Sequence, residues 1–151
     1  MRVLTNRSSG KQGYALAQAA LDEGAQVTLI TAPTALTPPI GANVIQVETA
    51  KQMLEAVLKE SAESDALIMA AAVADFRPKN TAKDKIKKEG GVPQIELEAT
   101  EDILKTVSAS GLGHSGKRPR VVAGFAAESQ SLLENAGSKL QIGRASCRER
   151  V

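Results

Sequence analysis

Residues 2–31 read RVLTNRSSGKQGYALAQAALDEGAQVTLIT, and this stretch decides the fold class. RVLT (2–5) is a short apolar, strand-like run. The polar stretch TNRSSGKQG (5–13) follows it. From Gly13 an alanine-rich segment runs to Gly24 with Leu16, Ala19 and Ala20 on one face, as in a helix stopped by glycine. AQVTLIT (25–31) is then a buried, strand-like run of apolar and β-branched residues. Strand, turn, helix, strand is the opening unit of a parallel α/β sheet.

The rest of the chain repeats the alternation. APTALTPPIG (32–41) carries three prolines and must be a loop, and ANVIQVE (42–48) is the next strand. Residues 49–64 place Met53, Leu54, Val57, Leu58 and Ala62 on one helical face, with Thr49 as the cap. DALIMAAAVADFRP (65–78) reads as one continuous apolar strand that breaks at Asp75 into a proline-containing loop. KNTAKDKIKKEGG (79–91) is a lysine-rich flap, and PQIELEAT (93–100) alternates as a half-exposed strand does. A capped helix with Asp102 in its first turn, a buried strand RVVAGFAAES (120–129) and a final helix (129–141) complete the pattern. The expectation is an α/β, Rossmann-like open sheet, mostly parallel, with helices on both faces and right-handed crossovers. Ligands of such sheets lie beyond the carboxyl ends of the strands. TNRSSGKQG, AVADFRP and GFAAES would all meet there.

Composition agrees with one globular domain. The 151 residues are 42% hydrophobic and 24% charged but only 2% aromatic, so Ala, Val, Ile and Leu must build the core, which suits a parallel sheet. The net charge of +2 resides in the last nine residues, GRASCRERV; without them 16 basic residues face 16 acidic ones, and nothing marks a nucleic-acid surface. Cys147 is the one cysteine, which excludes an internal disulfide and fits a reducing compartment. No secretory signal and no run of membrane-spanning length is found, so the expected location is cytoplasmic.

Individual motifs leave choices open. TNRSSGKQG is neither a Walker loop nor GxGxxG. It is either an anion site at a helix N-terminus or a turn capped by Ser8 or Ser9, and chemistry alone does not separate the two. Asp75 fits a ligand or metal contact, or a cap on the turn before FRP, the cap being the simpler reading. KIKK (85–88) is by default a solvated charge run. His114 is a loop residue, Cys147 has no neighbours that would activate it, and no metal-ligand spacing is present.

In this order and spacing, RVLTNRSSGKQGYALA, MAAAVADFRP, DKIKK, TEDIL and VVAGFAAES closely resemble phosphopantothenate–cysteine ligase, the C-terminal half of a bacterial bifunctional coenzyme A biosynthesis protein. The resemblance covers residue 2 to about residue 140. It implies a CTP- and Mg²⁺-dependent ligation of 4′-phosphopantothenate to cysteine through an acyl-cytidylate, in a homodimer. By motif, Asn6 corresponds to the asparagine that handles the acyl-cytidylate, and Arg2 to an arginine on the same strand. Met69, Ala70, Ala71, Asp75, Lys85, Glu101, Asp102, Ile103, Leu104, Phe125 and Lys139 correspond to nucleotide-binding positions. Lys85 is expected to reach the nucleotide from either subunit. The metal ligands are not assigned. FMN enters only through a fused or associated flavin-dependent decarboxylase. Eukaryotic relatives use ATP in place of CTP.

The chain departs from the family pattern in three respects. The family has a strand and a glycine-containing loop before the point where this chain starts. It also continues beyond Lys139 with a second flap lysine, a position held here by Gly143, and with a C-terminal lobe. Finally, GRASCRERV is unlike the family and reads as vector or junction translation, so the ligase-like domain is assigned to residues 1–142 and residues 143–151 are set aside. Two other readings are carried. One is a non-catalytic nucleotide-binding or dimerisation module. The other is an NADP-dependent Rossmann-type reductase, disfavoured because GxGxxG is absent and Gln18 stands where a Tyr14-xxx-Lys pair would need its lysine.

Overall fold

The computed structural model describes residues 8–80, 94–109, 119–126 and 145–148. The expected first strand (2–5), the flap and the last helix (129–141) lie outside the described residues. Helix α1 spans Lys11–Asp22 and ends in a glycine turn. Gly24 takes φ 82°, its N–H donates to the Leu21 carbonyl (2.9 Å), and the Ala25 N–H donates to that of Ala20 (3.0 Å). These two bonds satisfy carbonyls that the helix end leaves open, in the geometry of a Schellman motif. Of the residues read as one face, Leu16 and Ala20 are half-buried and Ala19 is exposed, while Ala17 is the buried residue of the helix. Gly13, Ala17 and Leu21, spaced by four, share a stripe of the helix, and Gly13 faces Ala70.

Strand β1 (Thr28–Thr31) pairs in parallel with β2 (Asn43–Gln46), Thr28 opposite Asn43 and Thr31 opposite Gln46. The proline loop between them returns the chain without a crossover helix and turns at Gly41, φ 98°. Helix α2 (Ala50–Ser61) starts at a complete capping box. Thr49 Oγ1 accepts from the Gln52 N–H at 3.1 Å, and Gln52 Oε1 accepts from the Thr49 N–H at 3.0 Å. Met53, Leu54 and Val57 point inward, as their spacing requires.

Strand β3 (Ala66–Met69) pairs in parallel with β6 (Val121–Ala126), from Ala66 opposite Val121 to Met69 opposite Gly124. β3 is shorter than the sequence suggests. It stops at Met69, where a run of alanines replaces the branched side chains that favour a pleated strand. A two-stranded antiparallel ribbon, β4 (Phe76–Pro78) with β5 (Leu97–Ala99), follows where a loop is expected at FRP. Helix α3 (Ile103–Ala109) joins α2 in the core, where Val47, Met53, Leu54, Val57, Ile103 and Val107 are buried and Leu67 and Met69 of β3 pack against them. Asp102 precedes α3 as its cap, one position outside the first turn: its carboxylate accepts from the Lys105 N–H at 3.0 Å.

Strand β7 (Ala145–Arg148) runs parallel to β6, Ala123 opposite Ala145. Part of the segment set aside in the sequence therefore forms strand backbone. The open edge of β6 offers backbone donors and acceptors to any extended segment, with little demand on its side chains. Of the four strand pairings among the described residues, three are parallel. The architecture is mixed α/β of Rossmann-like type, as expected.

Candidate functional site

Among the described residues singled out in the sequence, Met69 and Phe125 lie at the carboxyl end of the β3–β6 pair. Met69 is the last residue of β3 and lies opposite Gly124, which places Phe125 level with the start of the Ala70–Ala71 exit. Met69 packs against the α2–α3 core, whereas Ala70 lies beside α1: a Cβ built on Gly13 would be 3.9 Å from the Ala70 Cβ. Successive residues of an extended chain point to opposite faces, so the strand exit has a helix on either side. The end of TNRSSGKQG is thereby brought to the exit of β3.

A second clip draws in the acidic residues. The Thr100 N–H donates to the Asp75 carbonyl at 2.8 Å, and Thr100 Oγ1 donates to the Ala74 carbonyl. Asp75 and Glu101 thus flank one junction, both exposed. It is the carbonyl of Asp75 that this junction engages. Asp102, by contrast, is committed to α3, with Lys105 Nζ 3.6 Å from its second oxygen. Ile103 is 3% exposed, so it contributes core packing rather than a ligand-facing side chain. Leu104 reaches over β6: a Cβ on Gly124 would be 2.7 Å from its Cδ1. Arg2, Asn6, Lys85 and Lys139 lie outside the described residues.

At the start of α1, the residue in the cap position is Gly10, not Ser8 or Ser9. Gly10 takes φ 72°, and no side chain caps the helix. Ser8 Oγ accepts from the Gly10 N–H and Ser9 Oγ from the Lys11 N–H, each at 3.4 Å, bonds that shape the turn before the helix. The helix has no acidic residue in its first turn, so the positive end of its dipole is not offset locally. Tyr14, the residue a reductase would need, has its hydroxyl 3.3 Å from that of Thr31, and it accepts from the Thr34 hydroxyl at 3.4 Å. It anchors the loop after β1.

Two close approaches at glycines escaped the sequence reading. Gly13 and Gly124 admit close neighbours, Ala70 and Leu104, and the signal for Gly124 was a glycine inside an otherwise apolar strand. Together these features define a Rossmann-like domain whose strand exits, helix starts and acidic turn share one edge. The profile of the family described as DNA/pantothenate metabolism flavoprotein C-terminal domain matches residues 1–146, and the chain belongs to that family. It is 45% identical over 141 residues to the coenzyme A biosynthesis bifunctional protein CoaBC of Bacillus subtilis, covering 93% of this chain and 33% of that protein. To the CoaBC of Mycobacterium tuberculosis H37Rv it is 48% identical over 130 residues, 85% of this chain and 31% of that one. The chain thus spans about a third of the length of these relatives. The crystal structure of a CoaBC C-terminal domain superposes with TM-score 0.77 at 41% identity, over 97% of this chain and 68% of that one. A DNA/pantothenate metabolism flavoprotein from Streptococcus pneumoniae has the same fold, with TM-score 0.77 at 20% identity, over 98% of this chain and 75% of that one.

Proposed function

We propose that this domain carries out the CTP-dependent ligation of 4′-phosphopantothenate to cysteine in coenzyme A biosynthesis. The observation that carries the proposal is the approach of Leu104 to Gly124 opposite Met69 at the end of β3, with Thr100 clipped to the Asp75 carbonyl, in a chain that matches its family over residues 1–146. In the first step the pantothenate carboxylate attacks the α-phosphorus of CTP, the P–O bond to the leaving group breaks, and pyrophosphate departs. In the second the cysteine amine attacks the acyl carbon, the acyl–phosphate bond breaks, and CMP carries away the electron pair. Carboxylate oxygen is a poor leaving group until it bears the nucleotide. The protein's task is positioning and charge stabilisation.

In this reading the backbone of Met69, Ala70 and Ala71 lies along the nucleotide, since small side chains allow close approach. Phe125 and the segment from Glu101 to Leu104 hold its other side, the latter through backbone because Ile103 and Leu104 spend their side chains on packing. Asn6 donates its amide N–H to carbonyl and phosphate oxygens, Arg2 supports it, and Lys85 and Lys139 contact nucleotide and phosphate. Magnesium fits a site of this kind. Asp75 offers it an exposed carboxylate. Such a donor set suits an ion that arrives on a triphosphate and keeps several waters. When bound, it would neutralise phosphate charge.

The partner in this reading is a second copy. One face of the β4–β5 ribbon carries Phe76, Pro78, Leu97 and Ala99, and Phe76 is 57% and Leu97 49% exposed. A two-stranded ribbon with an open apolar face needs a cover, and pairing with its twin supplies one. A fused or associated flavin-dependent decarboxylase is the second proposed partner, and the cytoplasm the proposed location. No described helix is long and apolar enough to cross a membrane.

Pyrophosphate release from CTP, with Mg²⁺ and 4′-phosphopantothenate, with and without cysteine, tests the proposal. Release that requires phosphopantothenate is the expected result. CTP binding with no release from a folded chain would favour the non-catalytic nucleotide module.

A further inference from the structure

We propose that Gly124 is a positioning residue for the nucleotide: the absence of a side chain there gives Leu104 a seat on β6, and that seat fixes where α3 begins. The inference rests on the ligase reading above for its nucleotide, and on local geometry for its mechanics. Glycine in the middle of a strand costs backbone entropy and gives nothing to pack, so its presence in VVAGFA calls for a reason. The space supplies one. A methyl group on Gly124 would stand 2.7 Å from Leu104 Cδ1, well inside van der Waals contact.

The segment from Thr100 to Leu104 is pinned at two points. At one end Thr100 is clipped to the Ala74 and Asp75 carbonyls. At the other, Leu104 sits on Gly124, whose strand partner is Met69. Between them lie Glu101, Asp102 and Ile103. Helix α3 has seven residues, and its buried anchors are Ile103 (3% exposed) and Val107 (4%), which face α2 and the core. Leu104 is therefore the side chain that ties the helix start to β6. Added bulk at Gly124 either turns Leu104 out of its rotamer or lifts the first turn of α3. Lifting that turn moves residues 101–104 away from Asp75 and Phe125.

The test uses the full chain with Gly124→Ala, Leu104→Ala and the two combined. In pyrophosphate release, Gly124→Ala is expected to raise KM for CTP about tenfold while KM for 4′-phosphopantothenate changes by less than about twofold, as a local misplacement predicts. Leu104→Ala, which removes the tie itself, should raise KM for CTP to a similar degree, and the double variant should be no more impaired than Leu104→Ala alone. An unchanged KM for CTP in Gly124→Ala would mean that Leu104 swings aside freely, and the proposal would fall. A double variant impaired by the product of the two single effects would overturn it as well, since the effect of Gly124→Ala would then not pass through Leu104.

Amide hydrogen exchange across α3 supplies a readout independent of turnover. Faster exchange at residues 104–107 in Gly124→Ala and in Leu104→Ala, and no faster in the double variant than in Leu104→Ala, is the expected result. Unaltered exchange overturns the seat whatever the kinetics show. If the unsubstituted chain releases no pyrophosphate, the ligase reading fails on its own, and the exchange result alone decides the seat.

Discussion

Arg77 and Glu98 stand directly opposite each other across the β4–β5 ribbon, with Nε 2.7 Å from Oε1. Two rungs further, on the same face, Lys79 Nζ lies 3.9 Å from Glu96 Oε2. The ribbon's charge is thus collected on one face and paired there, which leaves the opposite face to Phe76, Pro78, Leu97 and Ala99. Phe76→Asp is predicted to leave the protein monomeric in sedimentation at micromolar concentration. Arg77→Ala should keep the dimer and cost no more than about 1 kcal/mol, since exposed ion pairs contribute little. A Phe76→Asp protein that still sediments as a dimer would move the interface elsewhere.

The start of α2 gives a second prediction. Thr49→Ala removes the acceptor for the Gln52 N–H, while the backbone N–H at position 49 keeps its bond to Gln52 Oε1. The expected loss is about 1 kcal/mol, read as a lower urea midpoint with an unchanged slope. An unchanged midpoint would show that water replaces the cap at no cost.

Gly10 and Gly24 both have positive φ, and only one of them is crowded. A Cβ on Gly10 would lie 3.2 Å from Thr34 Cγ2, whereas one on Gly24 would meet nothing within 4 Å. Gly24→Ala should lose about 1 kcal/mol, the cost of a left-handed alanine, and Gly10→Ala visibly more. Thermal melts of the two variants compare them directly. Equal losses would mean that the Thr34 turn gives way easily.

Asn6→Ala, made in a longer chain that includes the flanking regions of the family, is predicted to lower turnover roughly 10²–10³-fold, as the loss of one oxyanion-type donor does. Its CTP affinity should change less. Full turnover in that variant would remove Asn6 from the mechanism.

What could be read from the sequence was what depends on near neighbours. Thr49 and Gln52 form a capping box three residues apart, Gly24 ends α1, and the Met53–Leu54–Val57 stripe is inward because helix period alone decides it. The misreadings involve distant partners. Phe76, Arg77 and Pro78 look like a broken strand end until residues 97–99 are brought alongside them. In α1 Ala17 is buried and Ala19 is not, and Gly13 meets Ala70, a contact that no window along α1 reveals. The site behaves likewise. The edge was foreseeable from the order of strands, but which side chains are spent on packing was not: Asp102 and Leu104 look free for a ligand in TEDIL, and the fold uses both.

The parallel pairing of β3 with β6 also sets an order of events during synthesis. Asp65 and Arg120, 55 positions apart, meet at the base of that pair, where the Asp65 carbonyl receives the Arg120 N–H at 2.8 Å. While a ribosome delivers the residues between them, β1, β2 and α2 can already assemble, but β3 has no β6 beside it. Its apolar edge waits in water for the second half of the chain, and pairings that span such distances form slowly. A nascent chain stalled before residue 121 would therefore leave the backbone edge of Ala66–Met69 without its strand partner, an open edge available to any other extended segment.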